Sequence, residues 1–269
     1  MTTLTGKSLR LSRLSRRGDG RFLFVPLDHS VSDGPIADMR RYGRLLEEVV
    51  IGGADAIVVH KGRARVIDPN LLARCALVVH LSASTPHAPD SNAKVLVGGV
   101  EEAVQLGADA VSVHVNIGSD TEAGQLADLG RVAAGCERWG VPLLAMVYPR
   151  GPRIENPADA TLLAHVVSIA ADLGVDIVKT VFAAPSHRMA DVVAASPIPV
   201  VVAGGKDERQ SLADFATAAI GTGCAGLAIG RRVFNHAVPR RAVRELAEIV
   251  HGHPHPHTDQ PELTREGVR

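Results

Sequence analysis

The 269-residue sequence predicts an α/β protein, a single-domain (β/α)8 TIM barrel, on three observations. The length lies near the roughly 250 residues that one such barrel occupies. Hydrophobic residues make up 46% of the chain and aromatics only 3%, and Val, Ala, Leu and Ile supply the bulk, which is the composition of parallel strands buried on both faces. Eight short runs rich in β-branched residues recur, each followed by a longer segment with helical spacing.

The runs span residues 22–28, 56–60, 77–81, 110–115, 143–148, 177–181, 200–205 and 226–230. Several are introduced by a glycine-bearing approach: Gly52-Gly53-Ala54-Asp55, Gly107-Ala108-Asp109, Gly140-Val141-Pro142 and Gly174-Val175-Asp176. There glycine ends the preceding helix in left-handed geometry, and the acidic or proline residue turns the chain into the strand. Helices fit between the runs, for example at 36–50, 121–139, 157–173 and 207–221, with Pro157 and Asp207 as starting residues. The barrel domain is therefore expected over residues 1–250. Beyond Val250 the pattern fails, and His251, His253, His255 and His257 alternate with glycine and prolines. Residues 251–269 read as a disordered, solvated tail rather than a metal site.

With 29 basic and 29 acidic residues the formal net charge is zero, so there is no global field to recruit nucleic acid or an anionic membrane surface. Any anion must be bound locally. Cys75, Cys136 and Cys224 are odd in number and widely spaced, as in reduced cytosolic thiols rather than a disulfide or metal framework. No signal-peptide pattern and no run of eighteen apolar residues is present, so a soluble cytoplasmic protein is expected.

Barrel active sites form at the carboxyl ends of the strands, and those positions here are unusually polar. Lysine is rare, occurring only at positions 7, 61, 94, 179 and 206. Lys179 lies inside the apolar stretch Asp176-Ile177-Val178-Lys179-Thr180-Val181. An amine withdrawn from water is more easily held neutral, the form that attacks a carbonyl to give a Schiff base; the alternative is a core salt bridge. Tyr148 ends the fifth run and is followed by Pro149-Arg150-Gly151, which aims its phenol into the mouth beside the Lys179 strand. There it either moves a proton or packs at the rim. Asp28 ends the apolar first run, where a carboxylate requires partners: a substrate hydroxyl, Lys179, or the following loop Val31-Ser32-Asp33-Gly34-Pro35. His29 shares either role.

Gly204-Gly205 after the seventh run and Gly230-Arg231 after the eighth match the phosphate site that many barrels build from these two loops. Glycine admits backbone N–H groups to phosphate oxygens and Arg231 adds charge-assisted hydrogen bonds; ordinary turn glycines are the alternative. His60, His80 and His114 on successive strands are either rim histidines or a metal site that would polarise the carbonyl directly. Lys61 and Lys206 are rival amines, but each follows a strand, a position better suited to binding an anion.

The motifs Pro26-Leu27-Asp28-His29-Ser30-Val31-Ser32, His60-Lys61-Gly62, Tyr148-Pro149-Arg150-Gly151, Asp176 to Thr180, Gly204-Gly205 and Gly230-Arg231 together resemble the archaeal-type class I aldolases. This family includes fructose-bisphosphate aldolase, 2-amino-3,7-dideoxy-D-threo-hept-6-ulosonate synthase and the aldolase that starts aminohydroxybenzoate biosynthesis. The resemblance covers about residues 20 to 250, one motif per strand end. It implies Lys179 as the Schiff-base lysine, Tyr148 as proton donor and Asp28 as the second acid/base residue. It further implies substrate contacts from His29, Ser30, Val31, Ser32, Lys61, Pro149, Arg150, Gly204, Gly205, Gly230 and Arg231, with no metal or organic cofactor. The fructose-bisphosphate enzymes resemble one another in carrying a tryptophan two residues before the tyrosine, where this chain has Met146. The resemblance is therefore to the heptulosonate-type synthases, and implies joining a phosphorylated keto donor, either dihydroxyacetone phosphate or a deoxyketohexose phosphate, to aspartate semialdehyde. A homo-oligomer is also implied. The readings left beside it are a fructose-bisphosphate or other phosphosugar aldolase, a metal-dependent aldolase or isomerase, and a non-catalytic phosphosugar-binding barrel.

Overall fold

The structure is a computed structural model that describes residues 5–204 and 210–252, with Met39 described by its backbone alone. Eight parallel strands close into a barrel: β1 (Phe22–Pro26), β2 (Ala56–His60), β3 (Ala76–His80), β4 (Ala110–Ile117), β5 (Leu143–Pro149), β6 (Ile177–Thr180), β7 (Val200–Ala203) and β8 (Gly226–Ala228). Each pairs with its neighbours in chain order, and β1 meets β8 through the register Phe22↔Gly226. All eight runs expected from the sequence are strands. The polar and glycine residues at their ends, Asp28, Gly204 and Gly230 among them, have left the ladder for the loops above it.

Two apolar cores follow from the two-residue period of a strand. Outward-facing Leu23, Ile57, Leu77, Val111, Val147, Val178 and Val202 pack with the helices in one continuous sleeve. Inward-facing Phe22, Phe24, Ala56, Val58, Ala76, Val78, Leu144, Ile177 and Val201 fill the barrel. The inward stripe changes character toward the carboxyl ends: Ala56 and Val58 give way to His60, Ala76 and Val78 to His80, Ala110 to Ser112 and His114, and Ile177 to Lys179. The barrel is thus dry below and polar above.

A helix at Thr5–Leu14, which the sequence reading did not assign, seals the floor. Leu14 is fully buried and Leu11 half-buried, both against the inner core. The acidic residues of the glycine-bearing approaches have a role beyond turning the chain. Asp55, Asp109 and Asp176 each accept a hydrogen bond from the adjacent strand, from the backbone N–H of Leu23 (2.7 Å), Leu77 (3.0 Å) and Leu143 (2.8 Å). Each carboxylate is also met by a cation: Asp109 by Arg13 (2.9 Å) and Asp176 by Lys7 (2.9 Å), both from the floor helix, and Asp55 by His251 (3.1 Å).

Helix boundaries differ from expectation where a side-chain oxygen outcompetes proline as a start signal. The helix Ala160–Asp172 begins after Asp159, whose carboxylate accepts from the Leu162 N–H at 2.8 Å, so Pro157 lies outside it. The helix Leu212–Gly221 is capped by Ser211 accepting from the Asp214 N–H at 3.0 Å, and Asp207 lies outside the described residues. Gly53 and Gly140 close their helices with φ of 104° and 59°, as the sequence implied. No described helix is long and apolar enough to cross a membrane.

The tail does not begin at 251. The last helix runs Pro239–Gly252, and the His251 side chain is fully buried between Asp19 (Nδ1 to Oδ2, 2.6 Å) and Asp55 (Nε2 to Oδ2, 3.1 Å). Residues 253–269 lie outside the described residues. Burial disfavours the imidazolium, but the hydrogen bonds and charges of Asp55 and Asp19 outweigh it and raise the His251 pKa above its ordinary 6.5. This pair of contacts is fully formed below 6.5 and is lost as pH rises through the raised value. We expect wild-type Tm to fall across that window and the pH dependence to vanish in His251→Gln. At pH 6 the substitution should cost about 3 kcal/mol or more, roughly 6–12 °C in Tm. Equal Tm values for the two proteins at pH 6 would refute this clamp.

Candidate active site

The polar upper layer surrounds a cavity of about 730 Å³ at the carboxyl ends of the strands. It brings together Asp28, His29, Val31, Ser32, Tyr148, Arg150, Lys179, Gly204, Gly230 and Arg231 from loops and strands far apart in sequence. Three of the expected residues are not among those lining the cavity: Lys61 is held by Glu102 at 3.0 Å, Pro149 follows the inward Tyr148 and so alternates to the other face, and Ser30 lies outside the lining. Gly205 and Lys206 lie outside the described residues.

Lys179 is only 6% exposed. Among the described residues no carboxylate lies within the 4.0 Å of an ion pair, and its ammonium reaches only Met146 Sδ at 3.9 Å, across the β5–β6 register Met146↔Lys179. Tyr148 stands two residues further up β5, 5% exposed. Its ring meets His114, edge-on at 5.0 Å between centroids, and the Arg150 guanidinium, 4.6 Å from the ring centre. Gly151 allows this arrangement: a Cβ there would lie 1.7 Å from the Gly118 carbonyl oxygen, so only glycine lets the β4 and β5 loops touch.

Asp28 faces two imidazoles, His29 Nδ1 at 3.3 Å and His80 Nε2 at 3.8 Å. Burial by itself would raise its pKa, but His29, the positive charge His80 and His29 can carry, and Lys179 outweigh that, holding Asp28 well below the usual carboxylate range. Asp28 is therefore an anion. The histidines are the reverse case. Burial pushes His80 down to about 4, against the pull of Asp28, and lowers His60 and His114 as well, the last with help from Lys94 and Arg150. All three rings are neutral near pH 7. His80 Nδ1 meets the buried Ser112 hydroxyl at 2.8 Å, and His114 Nε2 donates to Asn116 Oδ1 at 2.8 Å. Among the described residues no group of three His, Cys, Asp or Glu side chains is arranged to hold an ion.

On the far side, the glycines are demanded by packing. A Cβ on Gly230 would lie 2.6 Å from the Pro26 carbonyl oxygen and 2.5 Å from the His29 ring, and one on Gly204 would lie 2.9 Å from Ile229. Arg231 reaches back to Asp33 at 3.5 Å. Ser82, Ser84, Asn92 and Lys94, which no sequence motif singled out, line the opposite wall from an excursion after β3. That excursion contains a small antiparallel hairpin, Ser82–Ala83 with Val95–Leu96. Its signal was available: residues 81–99 form a long, polar strand-to-helix connection, and in a barrel such loops build the active face.

Residues 22–236 match the family described as DeoC/LacD family aldolase. The chain is 50% identical over 248 residues to a 2-amino-4,5-dihydroxy-6-oxo-7-(phosphonooxy)heptanoate synthase of Streptomyces griseus, covering 91% of this chain and 90% of the relative. It is 40% identical over 251 residues to a 2-amino-3,7-dideoxy-D-threo-hept-6-ulosonate synthase of Halobacterium salinarum, covering 93% of each. Among solved structures it superposes on a Schiff-base-forming fructose-1,6-bisphosphate aldolase with a TM-score of 0.82 at 26% identity, covering 92% of this chain and all of the other.

The electrostatics of the mouth can be read by NMR. The His80 imidazole should titrate with a midpoint of about 4. Because Asp28 raises that midpoint, Asp28→Asn should move it lower still. A His80 midpoint at the ordinary 6.5, or an upward shift in Asp28→Asn, contradicts the arrangement.

Proposed function

We infer the reaction from one premise: the chain belongs to the DeoC/LacD family of aldolases and is an aldolase of class I, the class that works through a Schiff base. Within that class we propose that Lys179 forms the imine, that Tyr148 and Asp28 move protons, and that the enzyme joins dihydroxyacetone phosphate to aspartate semialdehyde. The observation that carries the first assignment is the Lys179 ammonium buried in the barrel without an ion pair among the described residues. A structural lysine so buried would be matched by a carboxylate.

The substrates follow from the chemistry of the compound in the Streptomyces griseus relative's name. Its ketone is at C6, so the aldol bond joins C5, beside the ketone, to the hydroxyl-bearing C4. Cutting there leaves 2-amino-4-oxobutanoate, which is aspartate semialdehyde, and dihydroxyacetone phosphate. In the proposed cycle Lys179 Nζ adds to the donor ketone, and loss of water gives an iminium ion. A proton leaves the adjacent hydroxymethylene carbon, and the enamine formed attacks the aldehyde carbon of the acceptor. The aldehyde oxygen takes up a proton to become the C4 hydroxyl, and water then releases the product and frees Lys179. Tyr148, beside Lys179 on the neighbouring strand, is suited to the proton transfers at the new bond. Asp28, an anion facing His29 and His80, accepts and returns the second proton. The donor phosphate rests on Gly204, Gly230 and Arg231, which line the same cavity as Lys179, since glycine backbone N–H groups and a guanidinium suit a phosphate.

Met146 supports the acceptor assignment, since the tryptophan expected of fructose-bisphosphate enzymes is absent beside the amine. A cytoplasmic location fits the free, buried Cys75, Cys136 and Cys224, whose thiols burial pushes up to about 12. A homo-oligomer completes the proposal.

Borohydride added with dihydroxyacetone phosphate should leave a mass adduct on Lys179 that Lys179→Met abolishes. Tyr148→Phe should lower kcat by about 10²- to 10⁴-fold while retaining the adduct. Mass spectrometry of the reaction with aspartate semialdehyde should reveal the C7 phosphate ester. An adduct on Lys61 or Lys206 refutes the amine assignment; cleavage of fructose bisphosphate without any product from aspartate semialdehyde refutes the acceptor.

A further inference from the structure

We propose that Lys94 and Arg150 form the subsite that holds the carboxylate of the amino-acid aldehyde, fixing the acceptor's orientation toward the enamine. This rests on the proposed reaction with an amino-acid aldehyde and adds the residues that recognise it.

Lys94 is built into place. The Asn92 carbonyl oxygen accepts from Asn116 Nδ2 and Gln125 Nε2, both at 2.9 Å, and Ser82 Oγ accepts from the His114 N–H at 3.0 Å, so the excursion after β3 is moored to β4. The Lys94 ammonium donates to Ser84 Oγ, which itself donates to the Ser91 carbonyl oxygen at 2.7 Å. Half-buried, it lines the same cavity as Lys179. Arg150 projects from the end of β5, stacked on Tyr148. The two cations are near enough for Arg150 to depress the Lys94 pKa, after burial the largest influence on it. Among the described residues neither has a carboxylate within 4.0 Å. Two neighbouring positive charges that repel each other and face a cavity are matched by an anion from outside.

Position decides which anion. Lys179 on β6 stands between this pair, on the β3 and β5 side, and the glycine loops of β7 and β8. The C7 product has a charge at each end, phosphate at C7 next to the imine-forming ketone and carboxylate at C1. With the phosphate on the β7–β8 side, the chain of carbon atoms runs past Lys179 and Tyr148 and delivers the carboxylate to Lys94 and Arg150. The guanidinium fork and the point charge of the ammonium together suit a planar, two-oxygen anion.

The test compares acceptors in wild type, Lys94→Met and Lys94→Arg, using dihydroxyacetone phosphate as donor and borohydride trapping on Lys179 as the readout of an intact site. Lys94→Met should lower kcat/KM for aspartate semialdehyde by about 10- to 100-fold, the value of one hydrogen bond to a charged group, but change butanal turnover by less than about twofold. Lys94→Arg should restore most of the loss. Butanal also lacks the amine, but that difference is common to all three proteins, so the variant-to-wild-type ratio isolates Lys94. An equal fall for both acceptors, or no fall for aspartate semialdehyde, overturns the subsite. Wild type that traps the donor but does not use aspartate semialdehyde refutes the underlying acceptor reading instead. If it then uses glyceraldehyde 3-phosphate and Lys94→Met loses that activity, the anion is a second phosphate and the carboxylate assignment falls.

Discussion

Closure of eight parallel strands governs everything above and below it. A closed barrel leaves no free edge, so every strand is satisfied laterally and its side chains must alternate between a sleeve of helices and a narrow interior. The interior cannot be left empty, and Phe22, Phe24, Leu144 and Ile177 fill its lower half. At the floor the ladder would otherwise end in unpaired N–H groups. Asp55, Asp109 and Asp176 close it, each accepting from the adjacent strand, and Lys7, Arg13 and His251 compensate the three charges. The glycine–acid repeat is thus a stitch between strand pairs, and the floor helix and the last helix are attached through its charges.

The same alternation, carried two residues higher, makes the site. Once the inward stripe is filled by hydrocarbon, any polar residue above it is held by dry walls and has few partners. This enclosure keeps His60, His80 and His114 neutral and leaves Asp28 as the anion that faces the enclosed Lys179 amine. The mouth therefore holds one buried amine, one carboxylate and one phenol, surrounded by neutral hydrogen-bonding rings. Positive charge is displaced to the rim, at Lys94 and Arg150 on one side and Arg231 on the other, where an anionic substrate can bind without neutralising the central groups.

Much of this was legible in the chain. Strands announce themselves by β-branched runs between glycine signals, and a lone lysine in such a run is conspicuous because burial of an ammonium is costly. The ends of the eight runs supplied Asp28, Tyr148, Lys179, Gly204 and Gly230 in order. What sequence spacing did not reveal were environments made by partners remote in sequence. Lys61 follows a strand as a binding residue would, yet Glu102, on the next helix but one, captures it. His251 looks like the first histidine of a repetitive tail, yet Asp19 and Asp55 enclose it. Pro157 is a sound helix start that Asp159 displaces with a better hydrogen bond.

The sequence by itself determined the barrel and its polar strand ends and singled out Lys179 as an amine placed in an apolar run, because these depend on periodicity and burial cost, which are local properties of a run. Only the tertiary structure decided which polar side chains share the mouth. Closure sets the distance between loops that sequence spacing does not encode. It turns Lys94 into a neighbour of Arg150, Ser112 into the partner of His80, and Met146 into the atom facing Lys179.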